Sequence, residues 1–238
     1  MVENISEKKE RIMELVLVIS LAVLPNFLSA LFAYLGLIDM DYSSSNIQAV
    51  YVLQIATQIT ILAVFFYVLY RQGRGLDYIG FSFAWQDIFT GLGLAIIAYI
   101  TAFLVNLIII FYSFLLGFEF NIGPENVELF NTGPLSILLF LLLIVNSFYE
   151  ELIVRAYFIT EVEGFTKKTA LTVALCIILQ TSYHVYQGIM PLFNIATIFL
   201  VFSLYYIRKR RIMPVIFAHT YINIISVLLS RILQRLVG

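Results

Sequence analysis

Seven stretches of this chain are apolar all the way round a helix, and short polar segments holding most of the charge separate them. They run roughly Ile12–Ile38, Ile47–Tyr70, Ile88–Phe118, Leu135–Thr160, Thr169–Tyr186, Pro191–Ile207 and Ile212–Leu229. A helix needs about 20 mostly apolar residues to cross a hydrocarbon core. Barrel strands would instead alternate at period 2 over about ten residues, and no such alternation is present. The third run is long enough to tilt or kink. The fifth and sixth are short and joined by a few residues around Gly188 and Pro191. The pattern predicts an all-α, polytopic transmembrane helix bundle. It has about seven spans (eight is the alternative count), in one domain over residues 1–238 with no soluble domain.

Composition agrees. Of 238 residues, 61% are apolar and 12% charged, where a soluble domain carries about a quarter charged. A soluble enzyme, a disordered chain and a collagen-like chain are excluded. One cysteine, Cys176, rules out an internal disulfide framework and a cysteine zinc cluster. A net charge of −1 offers no basic field for nucleic acid.

Basic residues orient the spans. With the N-terminus in the cytoplasm, the inside segments hold Lys8, Lys9, Arg11, Arg71, Arg74, Lys167, Lys168, Arg208, Lys209, Arg210 and Arg211, eleven of the fourteen. The outside loops, with Asp39, Asp41, Glu119, Glu125 and Glu128, hold none. Arg155 lies inside a span, and Arg231 and Arg235 fall in the tail, placed outside by seven spans. The first run is longer than a signal-peptide core and lacks a clear small-residue cleavage pattern, so it reads as a retained helix. Tyr78, Phe81, Phe83 and Trp85 suit a cytoplasmic interfacial segment.

Ionisable groups inside a span cost at least about 2.5–3.5 kcal/mol each, so they call for a reason. The fourth span carries Glu150, Glu151 and Arg155. Glu151 and Arg155 stand i,i+4 in the favourable order, which predicts a self-neutralising structural pair. Glu150 points about 100° away and is left without a local partner of its own. The chain's two histidines, His184 and His219, also fall in apolar runs, and Asn223 lies one turn beyond His219 on the same face. At about 1.5 Å per residue, His219 lies about 10 Å, Glu150 about 15 Å, Asn223 about 16 Å and His184 about 22 Å from the cytoplasmic ends. The four are expected to line one wet cavity near mid-membrane, opening toward the cytoplasm.

These residues resemble the CPBP intramembrane proteases, which include the type II CAAX prenyl endopeptidases and the bacterial Abi proteins. Glu150, Glu151 and Arg155 match the motif Glu-Glu-x-x-x-Arg, and His219 and Asn223 match His-x-x-x-Asn. Phe-x-x-x-His is half present, with His184 in place and Gln180 where Phe is expected. The resemblance spans about residues 135–229. It implies that Glu150 and His184 activate water, that His219 and Asn223 stabilise an oxyanion, and that Glu151 and Arg155 support the site.

The expected activity is hydrolysis of a peptide bond in a membrane-associated protein or peptide. A catalytically silent membrane scaffold or regulator and a proton- or ion-coupled transporter are the alternatives. The expected partners are that substrate and the lipid bilayer, and the expected location is a bacterial plasma membrane. Zinc held by Glu150, His184 and His219 would make an open His₂Glu site. The chain lacks a His-Glu-x-x-His helix and obvious acidic partners for both histidines. A metal-free glutamate mechanism is therefore expected, with zinc as the alternative.

Overall fold

Each apolar run folds as a helix. The computed structural model describes residues 5–38, 46–117 and 135–237. The helices are α1 (Ile5–Tyr34), α2 (Ile47–Arg71), α3 (Gln86–Leu116), α4 (Ile137–Thr166), α5 (Thr169–Ser182), α6 (Ile189–Lys209) and α7 (Met213–Val237). Six are long and apolar enough to cross a membrane, and α5 is shorter, with 14 residues. No strand occurs among the described residues. The acidic loop positions Asp39, Asp41, Glu119, Glu125 and Glu128 lie outside the described residues.

Close approach of α3 and α7 rests on a glycine. A Cβ at Gly91 would lie 2.5 Å from Phe217 Cβ and 2.9 Å from the Pro214 carbonyl oxygen, so only a residue without one lets the backbones meet here. On the other side, Pro25 interrupts α1 by withholding a backbone donor. Nearby, the Ala22 carbonyl accepts from Tyr149 Oη at 2.6 Å and from Asn26 Nδ2 at 3.0 Å. Helix α1 is thereby fixed to α4 one residue before Glu150.

Helix α4 is the buried centre of the bundle. Ser136 caps it, accepting from the Leu139 amide at 3.2 Å. The turn widens to π-helix over Glu151–Tyr157, and all seven of those residues are buried. Such wide turns occur frequently at functional sites. The helix continues to Thr166, six residues past the expected Thr160, because its acids find cationic partners. Glu161 is fully buried and receives Arg11 Nη2 at 2.9 Å, Tyr78 Oη at 2.7 Å and Arg74.

Those contacts belong to a charged plate that closes one end of the bundle. Arg71 Nε bonds Glu14 at 2.8 Å, Arg211 bonds Asp87 at 2.8 Å, and Arg210 pairs with Glu163. Burial, reinforced by the neighbouring Glu161 carboxylate, pushes the Tyr78 phenol well above its ordinary pKa, so it stays a donor. Phe83 and Trp85 at this end are exposed, as an interfacial segment requires.

Helix α5 stops at Ser182, four residues before the expected Tyr186. A 3₁₀ turn over Val185–Gln187 follows, and Gly188 takes φ 88° and ψ 174°, a region essentially reserved for glycine. From there α6 starts in a new direction. At about 1.5 Å per residue α5 is about 21 Å long, against a core about 30 Å thick. Its early stop leaves space in the half of the bundle away from the charged plate.

Candidate active site

Two acids adjacent in sequence occupy opposite chemical settings. Glu151 is fully buried between two charge partners: Arg155 Nε lies 2.8 Å from its Oε2, and His219 Nδ1 lies 2.7 Å from its Oε1. Glu150 reaches a cavity wall, and the two donors on its oxygens are neutral. Asn146 Nδ2 gives 3.0 Å to Oε1, and Tyr183 Oη gives 3.0 Å to Oε2. Glu150 therefore has a local partner after all, one turn earlier on α4. The i−4 residue is an amide, which sequence reasoning focused on charges passes over. Gln58 Nε2 donates to Asn146 Oδ1 at 2.8 Å, tying the arrangement to α2.

Arg155 is fully buried and spends its guanidinium on three elements. Beyond Glu151, its Nη2 donates to Gln180 Oε1 at 2.6 Å and its Nη1 approaches Ser203 Oγ at 3.5 Å. The guanidinium also lies 5.3 Å from the Phe199 ring centroid and 5.4 Å from that of Phe202. Gln180, the departure from the family pattern, thus has work of its own in accepting from the buried cation. Aromatic packing on His184 comes from Tyr183 at 4.8 Å and from Phe199 of α6 at 6.0 Å.

Glu150, His184, His219 and Asn223 all line one cavity of about 460 Å³. They come from α4, the turn after α5, and α7. His184 Nδ1 lies 3.3 Å from Gln187 Nε2, and its Nε2 is buried with no partner. Asn223 Nδ2 lies 3.4 Å from Ser147 Oγ. With Nδ1 of His219 turned to Glu151, its other nitrogen, Nε2, is the one free to work. The four residues grouped by their placement in the spans thus share a single space. Asn146, Tyr183, Gln58 and Ser147, which hold two of them in place, carried no motif.

The cavity lies to one side of the bundle. Its lining includes Asn106 late in α3, Leu143 early in α4, and Gln187 and Pro191 between α5 and α6. Helices alternate in direction, so all of these lie in the half away from the charged plate. Toward the plate, Leu152, Ile153, Val154, Ala156 and Tyr157 are buried and leave no room. The cavity thus lies away from the plate, on the side where α5 ends early.

Among the described residues no three His, Cys, Asp or Glu side chains are placed to hold an ion. Both Glu150 oxygens are engaged by neutral donors. One expectation does change: His219 has an acidic partner, Glu151, although the sequence pointed to none. The pair is separated by 68 residues and becomes adjacent only through the packing of α7 on α4.

Residues 132–225 match the family model described as Type II CAAX prenyl endopeptidase Rce1-like. No curated protein and no solved structure matches the chain. The matched segment runs from just before α4 into α7 and contains Glu150, Glu151, Arg155, His184, His219 and Asn223. That segment, under half of the chain, is similar to the CAAX protease family, and six apolar helices of spanning length support an integral membrane protein.

Proposed function

We propose that this chain is an intramembrane endopeptidase that cuts a membrane-associated protein or peptide with a metal-free, glutamate-activated water. Glu150 accepts a proton from the water, and the resulting hydroxide attacks the scissile carbonyl carbon. The oxyanion receives hydrogen bonds from Asn223 Nδ2 and from His219 Nε2, which donates when the ring carries both protons and gives Nδ1–H to Glu151. His184 assists Glu150 in moving the proton onto the amine nitrogen, the C–N bond breaks, and a carboxylate and an amine leave. Arg155 balances Glu151, so a charged His219 has a carboxylate beside it and the layer stays neutral enough to bury.

The observation that carries this reading is the contrast between the paired acids. Glu151 is saturated by Arg155 and His219, while Glu150 stands on the cavity wall with neutral donors only. A carboxylate on a cavity wall with no cation bonded to it is within reach of a water there, as a general base must be. Neutral donors hold it in one orientation without competing for its charge.

Purified protein in proteoliposomes, offered a panel of prenylated and unprenylated membrane-anchored peptides in H₂¹⁸O, tests the proposal. Hydrolysis places one ¹⁸O in the new carboxyl group, read by mass spectrometry. Cleavage by the parent protein with that label, and none by His184→Ala, supports the reading. Ion flux without cleavage would return the transporter alternative.

A further inference from the structure

We infer that the site opens on the face of the membrane opposite the N-terminus, the extracytoplasmic face, and that its substrate is a polypeptide segment presented there. The substrate part rests on the protease reading above, while the opening rests on the placement of two cavities and of the basic segments. A second cavity of about 360 Å³ lies between α1, α2 and α4 and shares Asn146, Glu150, His184 and Tyr186 with the first. Glu150 and His184 therefore sit where two cavities meet.

Both cavities keep to one half of the bundle. The second is lined by Asn26 and Ser29 near the end of α1 and by Gln54, Thr57 and Gln58 in the first half of α2. These five polar side chains face a shared space inside otherwise apolar spans, where polar groups without a wet or protein environment are costly. The first cavity meets the turn at Gln187. On the opposite side of Glu150, the buried stretch from Leu152 to Tyr157 and then the plate of Arg11, Arg74 and Glu161 fill the section. That plate carries the basic segments, which stay cytoplasmic. Water and substrate then reach Glu150 from the other face, and a tail displayed only in the cytoplasm would have to cross the plate.

Cysteine labelling tests this without requiring catalysis. In a Cys176→Ser background, Gln187→Cys and Gln54→Cys report the two cavities. Lys209→Cys reports the plate, and Ile59→Cys reports the outer surface of α2, where Ile59 is 53% exposed in the bundle and outside both cavities. Intact cells are treated with a charged, membrane-impermeant thiol reagent. Labelling of Gln187→Cys and Gln54→Cys in intact cells is expected, with Lys209→Cys labelled only after permeabilisation and Ile59→Cys unlabelled in both. The inference is overturned if the cavity cysteines label only after permeabilisation, or if they label no faster than Ile59→Cys. Lys209→Cys labelling in intact cells would overturn it equally, by inverting the bundle. Loss of the protease reading would leave all four labelling results unchanged.

Discussion

Replacing Arg155 by alanine removes the cation at the centre of the buried layer. Its donors to Glu151, Gln180 and Ser203 disappear together at a position with no solvent exposure. Breaking a buried pair by removing one partner costs about 3–5 kcal/mol, because the other charge is left uncompensated. His219 remains beside Glu151, which favours the lower half of that range, while the lost contacts with Phe199 and Phe202 act the other way. At roughly 2–4 °C per kcal/mol for a chain of this size, thermal unfolding in detergent should fall by about 6–20 °C. The companion variant Arg155→Met with Glu151→Leu replaces both charges by apolar side chains and should recover most of the loss. It should nonetheless cut nothing, since His219 has lost its carboxylate. An Arg155→Ala protein that unfolds at the parent temperature would contradict the buried-pair energetics and move Arg155 from support to chemistry.

The other expectations concern the cavity wall. Asn223→Ala should fold normally and keep a trace of cleavage, with kcat down by about 10²–10³, the usual cost of one oxyanion donor. Tyr183→Phe deletes one of the two bonds that orient Glu150; a hydrogen bond to a charged group is worth about 1.5–3 kcal/mol. Carried fully into the barrier, that is on the order of ten- to a hundredfold in kcat/KM, measured on the best-cut peptide. Dialysis against a chelator should leave cleavage intact, and metal analysis should find no stoichiometric zinc. Zinc that vanishes in His184→Ala, with chelator-sensitive activity, would overturn the metal-free assignment.

Local signals in the sequence carried a long way. The helix count followed from apolar runs too long and too uniform for anything else, and the Glu151–Arg155 pair followed from one turn of helix. The convergence of Glu150, His184, His219 and Asn223 was visible through spacing on separate spans. What the sequence left hidden depends on distant packing. The Glu151–His219 contact exists because α7 lies against α4. Gln180 looked like a lapse from a motif until Arg155 was seen to need an acceptor. Asn146 and Tyr183 are ordinary polar residues until Glu150 lies between them. The side on which the cavity lies depended on where α5 stops, and span ends are the least sharp feature of an apolar pattern.

Whether Glu150 is the base is decided by Glu150→Gln. The substitution keeps the shape of the side chain and an oxygen for Asn146 or Tyr183 to bond, but removes the base. The parent and Glu150→Gln proteins, matched for folding by thermal unfolding, are mixed in excess with a peptide the parent cuts, and product is followed through a single turnover. The expected result is a normally folded Glu150→Gln protein that releases no product. Cleavage at the parent rate by that variant would remove Glu150 from the chemistry and with it the glutamate-activated water.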